Sequence, residues 1–200
     1  MSFRTYMCSK SNNPNYMVHI KSSGFEVIAD MPEETTTSLG SEWEAWFPSN
    51  GDGVVGNAIR TLAGTALRAQ IMSTQTWTNS SPVEIPLELL FDAESNPQTE
   101  VYEPMRRLEM MALPSMSGNI LYAPGPAPGL SQLYDNTGSL EVELSIGRML
   151  HIPSVVITSV QSTFSSRLTQ DGKPIAGRSS INFRTSITPS RQDWEQWTGI

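Results

Sequence analysis

The chain has 200 residues, 38% hydrophobic and 16% charged, with 14 glycines and 14 prolines, which suits one β-rich, turn-rich domain with a real core and excludes general disorder. Its net charge of −7 argues against gripping nucleic-acid phosphates, since that needs clustered Lys and Arg to displace counterions. One cysteine, Cys8, excludes an intrachain disulfide. With no signal-peptide core and no apolar run of about 18 residues, the expectation is a soluble protein made in a reducing cytoplasm, without a membrane partner.

In chain order, residues 1–15 are polar and expected to be mobile or partner-bound. Tyr16, Val18 and Ile20 alternate, "KSSG" turns and "FEVIADMP" returns, which predicts an N-terminal hairpin. The segment "EETTTSLGSEWEAWFPSNGDG" reads as a long irregular connection. Its Trp43, Trp46 and Phe47 must fold back or dock on a neighbour, because large aromatic side chains gain by leaving water. From residue 54, Val55, Ile59, Leu62, Ala66 and Ala69 follow the step of an amphipathic helix that ends near Ser73.

Alternation resumes with Val83, Ile85, Leu87, Leu89 and Phe91 on one face and Glu84, Pro86 and Glu88 on the other. Pro86 lacks an N–H, which points to an edge strand or an interrupted ladder. Glu100 to Leu113 reads as a helix with Val101, Met105, Leu108 and Ala112 on one side, stopped by Pro114. A long Pro/Gly-rich insertion loop, 114–138, follows, of a length that usually carries function. Leu140, Val142, Leu144 and Ile146 then alternate with Glu141, Glu143 and Ser145. A long hairpin completes the pattern: Val156, Thr158, Val160, Ser162 and Phe164 form one face of its first strand, Ile181, Phe183, Thr185 and Ile187 one face of its second. Asp171-Gly172 supplies the positive φ of its tip. Trp194 and Trp197 lie near the C-terminus as candidate contacts.

Catalytic chemistry finds little support. Gly172 to Ser179 is one letter from a phosphate-binding loop, but Arg178 replaces the lysine and a strand pattern, not a helix, follows. His19 and His151 sit in strand-like surroundings, and a satisfied structural role is the plainer reading. One Cys and two His cannot make the usual zinc site, and "SNGDGVVGNAI" lacks a calcium-loop ligand series. Glu84, Glu88, Glu141 and Glu143 are candidates for an acid–base pair acting on a sugar, with five tryptophans available for stacking; they also read simply as polar strand faces. No cofactor is expected.

The order of elements over Ser73 to Ser190 resembles the tube proteins of contractile phage tails and related injection machines, particularly the baseplate proteins that start or cap the tube. The resemblance rests on "TWTNSSPVEIPLELLFDAES" leading into "EVYEPMRRLEMMALPS", the Pro/Gly loop, and the "IPSVVITSV…DGKPIAG…INFRTSI" pattern. It implies a mainly β fold: an antiparallel β-sandwich or barrel of the tail-tube type with one or two flanking helices, and a single domain spanning 1–200. By the same resemblance six copies form a ring and long hairpins line a channel. Rings stack between tube and hub proteins of a virion tail, and DNA passes through only transiently. Glu141, Glu143, Asn182 and Arg184 would line that channel as an acidic, hydrated wall; Trp43, Trp46, Phe47, Trp194 and Trp197 would contact other subunits. The extra N-terminal segment, the Trp43 to Phe47 region and the long loop depart from a repeating tube subunit and suit a baseplate ring. A carbohydrate-binding or cell-wall-hydrolysing β-sandwich is the alternative.

Overall fold

The computed structural model describes residues 3–8, 10, 13–22, 24–45, 75–117, 119–122 and 142–200. Among these the strands are β1 (Arg4–Met7), β2 (Met17–Ser22), β3 (Phe25–Asp30), β4 (Ser41–Ala45), β5 (Gln75–Ser80), β6 (Glu84–Asp92), β7 (Ser115–Ser117), β8 (Ile120–Tyr122), β9 (Val142–Ile146), β10 (Leu150–Phe164) and β11 (Ala176–Thr185); the helices are α1 (Glu103–Met111) and α2 (Arg191–Thr198). The chain forms two compact units, Met1–Ser38 with Pro82–Ile200, and Leu39–Ser81.

The larger unit is mainly β with two short helices. Its seven strands make one curled, mixed half-barrel sheet in the order β1-β3-β2-β9-β10-β11-β6. The expected N-terminal hairpin is present as β2–β3. Every neighbouring pair is antiparallel except β1 and β3, which run parallel. That pairing lies inside the segment expected to be mobile or partner-bound, and it buries Tyr6 and Cys8.

Alternation does what the pleat requires. Ile85, Leu87, Leu89 and Phe91 of β6 are buried while Glu84, Pro86 and Glu88 face out. Pro86 sits on the outermost strand, where its missing N–H costs the ladder nothing. Ser179, Ile181, Phe183 and Thr185 are buried on β11. The strand ends there, so Ile187 is exposed.

In β10 the single alternating face expected from Val156 to Phe164 is broken. One extra residue is accommodated against β9 between Ile152 and Val155, and another against β11 between Ile157 and Ser159. Each bulge flips the phase, as an unpaired extra residue must. The inward series becomes buried Val155, then half-buried Ile157, Val160, Ser162 and Phe164; Val156 instead shares the outer face with Arg184, its register partner, and Thr158 is exposed.

Helix α1 closes the core on the inner face. Ahead of it the Asn96 side chain accepts from the Gln98 amide at 3.1 Å, and a π-type turn at Gln98–Tyr102 leads in. Pro104 stands in the first turn, where no intrahelical donor is needed. Val101, Met105, Leu108 and Met111 are buried against Phe91, Phe183 and the other inward sheet residues. The helix ends at Met111, three residues before Pro114.

The smaller unit is described by the β4–β5 ribbon, in which Trp43 lies directly opposite Trp77. The helix expected from residue 54, with Trp46 and Phe47, lies outside the described residues, as does Glu141. Within 114–138 the described part is a short hairpin, β7–β8.

Candidate assembly surface

The outer face of the large sheet is the candidate site, because it carries the predicted channel residues and is not covered by α1. Glu143 on β9 and Asn182 and Arg184 on β11 all point away from the core, since their neighbours Val142, Leu144, Ile181 and Phe183 are buried. Asn182 donates to the Ser159 hydroxyl at 2.8 Å. Arg184 pairs with Glu84, Arg178 with Glu88 at 2.9 Å and Lys21 with Glu143 at 3.6 Å.

These exposed pairs each add little to stability, of the order of 0–1 kcal/mol. Their consequence is electrostatic. Glu26, Glu84, Glu88, Asp92 and Glu143 are set against Lys21, Arg178 and Arg184, with Lys10 beside Asp92, so carboxylates outnumber cations on the described face. Each of these three cations already has a carboxylate beside it, which leaves a hydrated surface with no cluster of unmatched positive charge for a phosphate backbone.

Both histidines lie on this face, flanking Ser145 in one cross-strand row. His19 Nδ1 is 2.9 Å from Glu26 Oε1. His151 Nδ1 is 2.8 Å from Ser145 Oγ and 3.8 Å from Glu143 Oε1. A serine nucleophile needs its histidine base oriented through the other ring nitrogen. Here hydroxyl and carboxylate approach the same nitrogen, so the row works as a polar network. Glu84 and Glu88 are each engaged by an arginine on β11, which suits a polar strand face better than an acid–base pair.

The phosphate-loop lookalike is also resolved by its backbone. Gly172, at φ +73°, stands at the hairpin tip; its N–H bonds Thr169 O at 3.0 Å and the Thr169 N–H bonds Lys173 O at 2.8 Å. This is the bonding of a type I turn followed by a glycine bulge. Asp171 is exposed at the same tip. Gly177, Arg178 and Ser179 lie within β11, and no helix begins at Ser179.

The tip does not stand free. Arg106 of α1 lies 5.4 Å from the Tyr102 ring centre and 5.0 Å from that of Phe164, and Lys173 lies 5.0 Å from that of Tyr102. Nor is β11 an open arm, as its two edges are paired by β10 and β6 within the one chain. The expectation that both hairpin strands wait for a neighbour narrows to half of β10. β9 pairs it only from Leu150 to Val155, and no described strand lies beyond its distal half. Glu84 turns both backbone groups toward Ser38, away from β11. Counting through the two antiparallel ladders, Val160, Ser162 and Phe164 then turn theirs outward from β10.

Of the aromatic residues expected at contacts, Trp43 is exposed. Trp197 is buried in the chain's own core and Trp194 half-buried beside it, ring centres 6.2 Å apart. The Ser190–Asp193 capping box starts α2 and fixes the turn that points both rings inward. Trp197 is therefore a core residue of this subunit, not a free contact. The pairing of Trp43 with Trp77 was not foreseen, although the alternation in "SEWEA" held the signal.

No protein-family model matches this chain, and no curated protein does.

Proposed function

We propose that this chain is a structural ring protein of a contractile tail, with six copies enclosing a channel at or near the baseplate and no chemistry required of it. The observation that carries the reading is the division of the curled sheet: one face sealed by α1, the other polar with each of its cations beside a carboxylate, and an edge along distal β10 that no described strand covers. Ring closure would cover that edge. A wall whose cations are matched would let DNA pass without adhering. The tail-tube type of sandwich, the neighbouring tube and hub proteins and the place in a virion tail belong to this same reading.

Electron microscopy and sedimentation of assembled particles test it. The expected result is a sixfold ring, lost in Ser162→Pro, which deletes one outward N–H of β10 while leaving its bonds to β11. A compact monomer within assembled particles overturns the proposal.

One observation favours a second reading, a carbohydrate-binding module. Trp43 and Trp77 are both exposed and share one face of their ribbon with Ser41 and Gln75, an arrangement that can stack on a sugar ring and hydrogen-bond its hydroxyls. Calorimetry against cell-wall glycans decides it: binding lost in Trp77→Ala supports it, and no binding by the intact chain removes it.

A further inference from the structure

We propose that the cleft between β6 and the segment following β3 receives an extended, basic polypeptide segment of another protein, which adds to β6 as a further strand. The two walls meet at both ends. At one end Ser38 and Glu84 exchange backbone hydrogen bonds of 2.9 and 3.1 Å. At the other, the Lys10 amide donates to the Asp30 carboxylate at 3.1 Å and its ammonium to Asp92 at 2.8 Å. Between them lies a cleft of about 760 Å³, with Glu33 and Glu34 on one wall and Glu88 and Leu90 on the other.

Among the described residues, the wall formed by β6 is an unfinished ladder. Because Glu84 faces Ser38, strand alternation turns the backbone groups of Pro86, Glu88, Leu90 and Asp92 away from β11. Pro86 offers only a carbonyl; Glu88 and Leu90 each offer a donor and an acceptor, spaced at the repeat of about 7 Å that an added strand reads. Monomeric proteins usually guard such an edge with lysine or proline side chains. Here the guard stops at Pro86, and Leu90 is 57% exposed.

Charge selects the occupant. Glu88 is matched by Arg178 and Asp92 by Lys10, whereas Glu33 and Glu34 are exposed and enter no ion pair among the described residues. A segment of about six residues spans the open length at about 3.3 Å per residue, its backbone on β6 and its basic side chains toward these two carboxylates. This edge is a different one from distal β10, so the inference stands apart from ring formation.

The probe is a blocked hexapeptide of alternating lysine and valine, with its glutamate–valine counterpart as control, added to the full chain. The lysine peptide should slow hydrogen exchange at the Glu88 and Leu90 amides at least tenfold, and the glutamate peptide should not. Leu90→Pro removes an outward N–H and should weaken binding at least tenfold while keeping the wild-type circular dichroism. Glu33→Gln with Glu34→Gln should weaken it several-fold at low salt and leave the strand untouched; this variant alone decides if Leu90→Pro does not fold. Equal protection by both peptides, no binding of the lysine peptide at millimolar concentration, or binding indifferent to these substitutions overturns the proposal.

Discussion

Gly177 of β11 lies beneath the Met105 side chain of α1, so close that a Cβ added there would overlap the Met105 sulfur and stand 3.3 Å from the Thr163 carbonyl. The glycine is thus what lets the helix seat on the sheet at this height. Gly177→Ala should destabilise the fold by about 1–3 kcal/mol, since Met105 is fully buried and must repack. For a chain of this size that lowers the melting temperature by about 2–4 °C per kcal/mol. Adding Met105→Leu should return part of the loss in thermal melts; strictly additive effects would show that the contact does not matter.

Gly172 makes the opposite case. Nothing stands within 4 Å of a Cβ built there, but φ is +73°. The cost of Gly172→Ala is therefore purely conformational, about 1 kcal/mol, and Gly172→Asn should cost less because Asn tolerates this region. Urea denaturation orders the three proteins; if the asparagine variant ranks below alanine, the turn is held by something other than backbone preference.

Glu100 binds the loop that precedes α1. Its carboxylate accepts from the Glu94 amide at 2.6 Å, the Ser95 amide at 3.1 Å, the Ser95 hydroxyl at 2.6 Å and the Asn96 amide at 3.1 Å. These bonds, led by the Ser95 hydroxyl, lower its pKa from 4.5 to about 2. A depressed carboxylate contributes stability that is fully present above the unfolded value and is lost as pH falls toward the folded one. Glu100→Gln should therefore reduce stability at pH 7 and flatten its decline between pH 4.5 and 2. Melting curves across that range check it, and parallel curves for the two proteins would refute the assignment.

Cys8 should be slow to alkylate. Burial, then the nearby Glu100 and Asp30 carboxylates, push its thiol up to about 12, so almost no thiolate exists at pH 8. Iodoacetamide should react at a rate that rises with urea in step with unfolding. Prompt reaction of the native protein at pH 8 would contradict this.

What the sequence disclosed follows from physics that acts locally. The period-two patterns of β6, β9 and β11 were legible because each has one wet and one dry face, and Pro86 announced an edge. The place of α1, with Pro104 in its first turn, and the Gly172 turn were readable from neighbours in the chain. The bulges of β10 were not, since an extra residue among Val, Ile, Ser and Thr leaves alternation plausible in either phase. β1 escaped notice because four residues hold too little pattern, and its partner is set by the sheet. On the candidate surface, Glu143, Asn182 and Arg184 do face away from the core, but their partners there, Lys21, Ser159 and Glu84, depend on cross-strand register. Trp197 was misjudged because a helix turns an apparently terminal tryptophan inward.

The strand order also governs how this molecule can come into being. Val18 meets Ile146, and Ile85 meets Phe183, so two of the sheet's ladders join segments separated by about half of the polypeptide or more. Such distant pairing makes for slow folding. A ribosome must release β11 before the sheet can close, and until then the early strands lack their distant partners. Truncation from the C-terminal end would therefore leave no smaller version of this domain, only aggregation-prone hairpins with nothing to join.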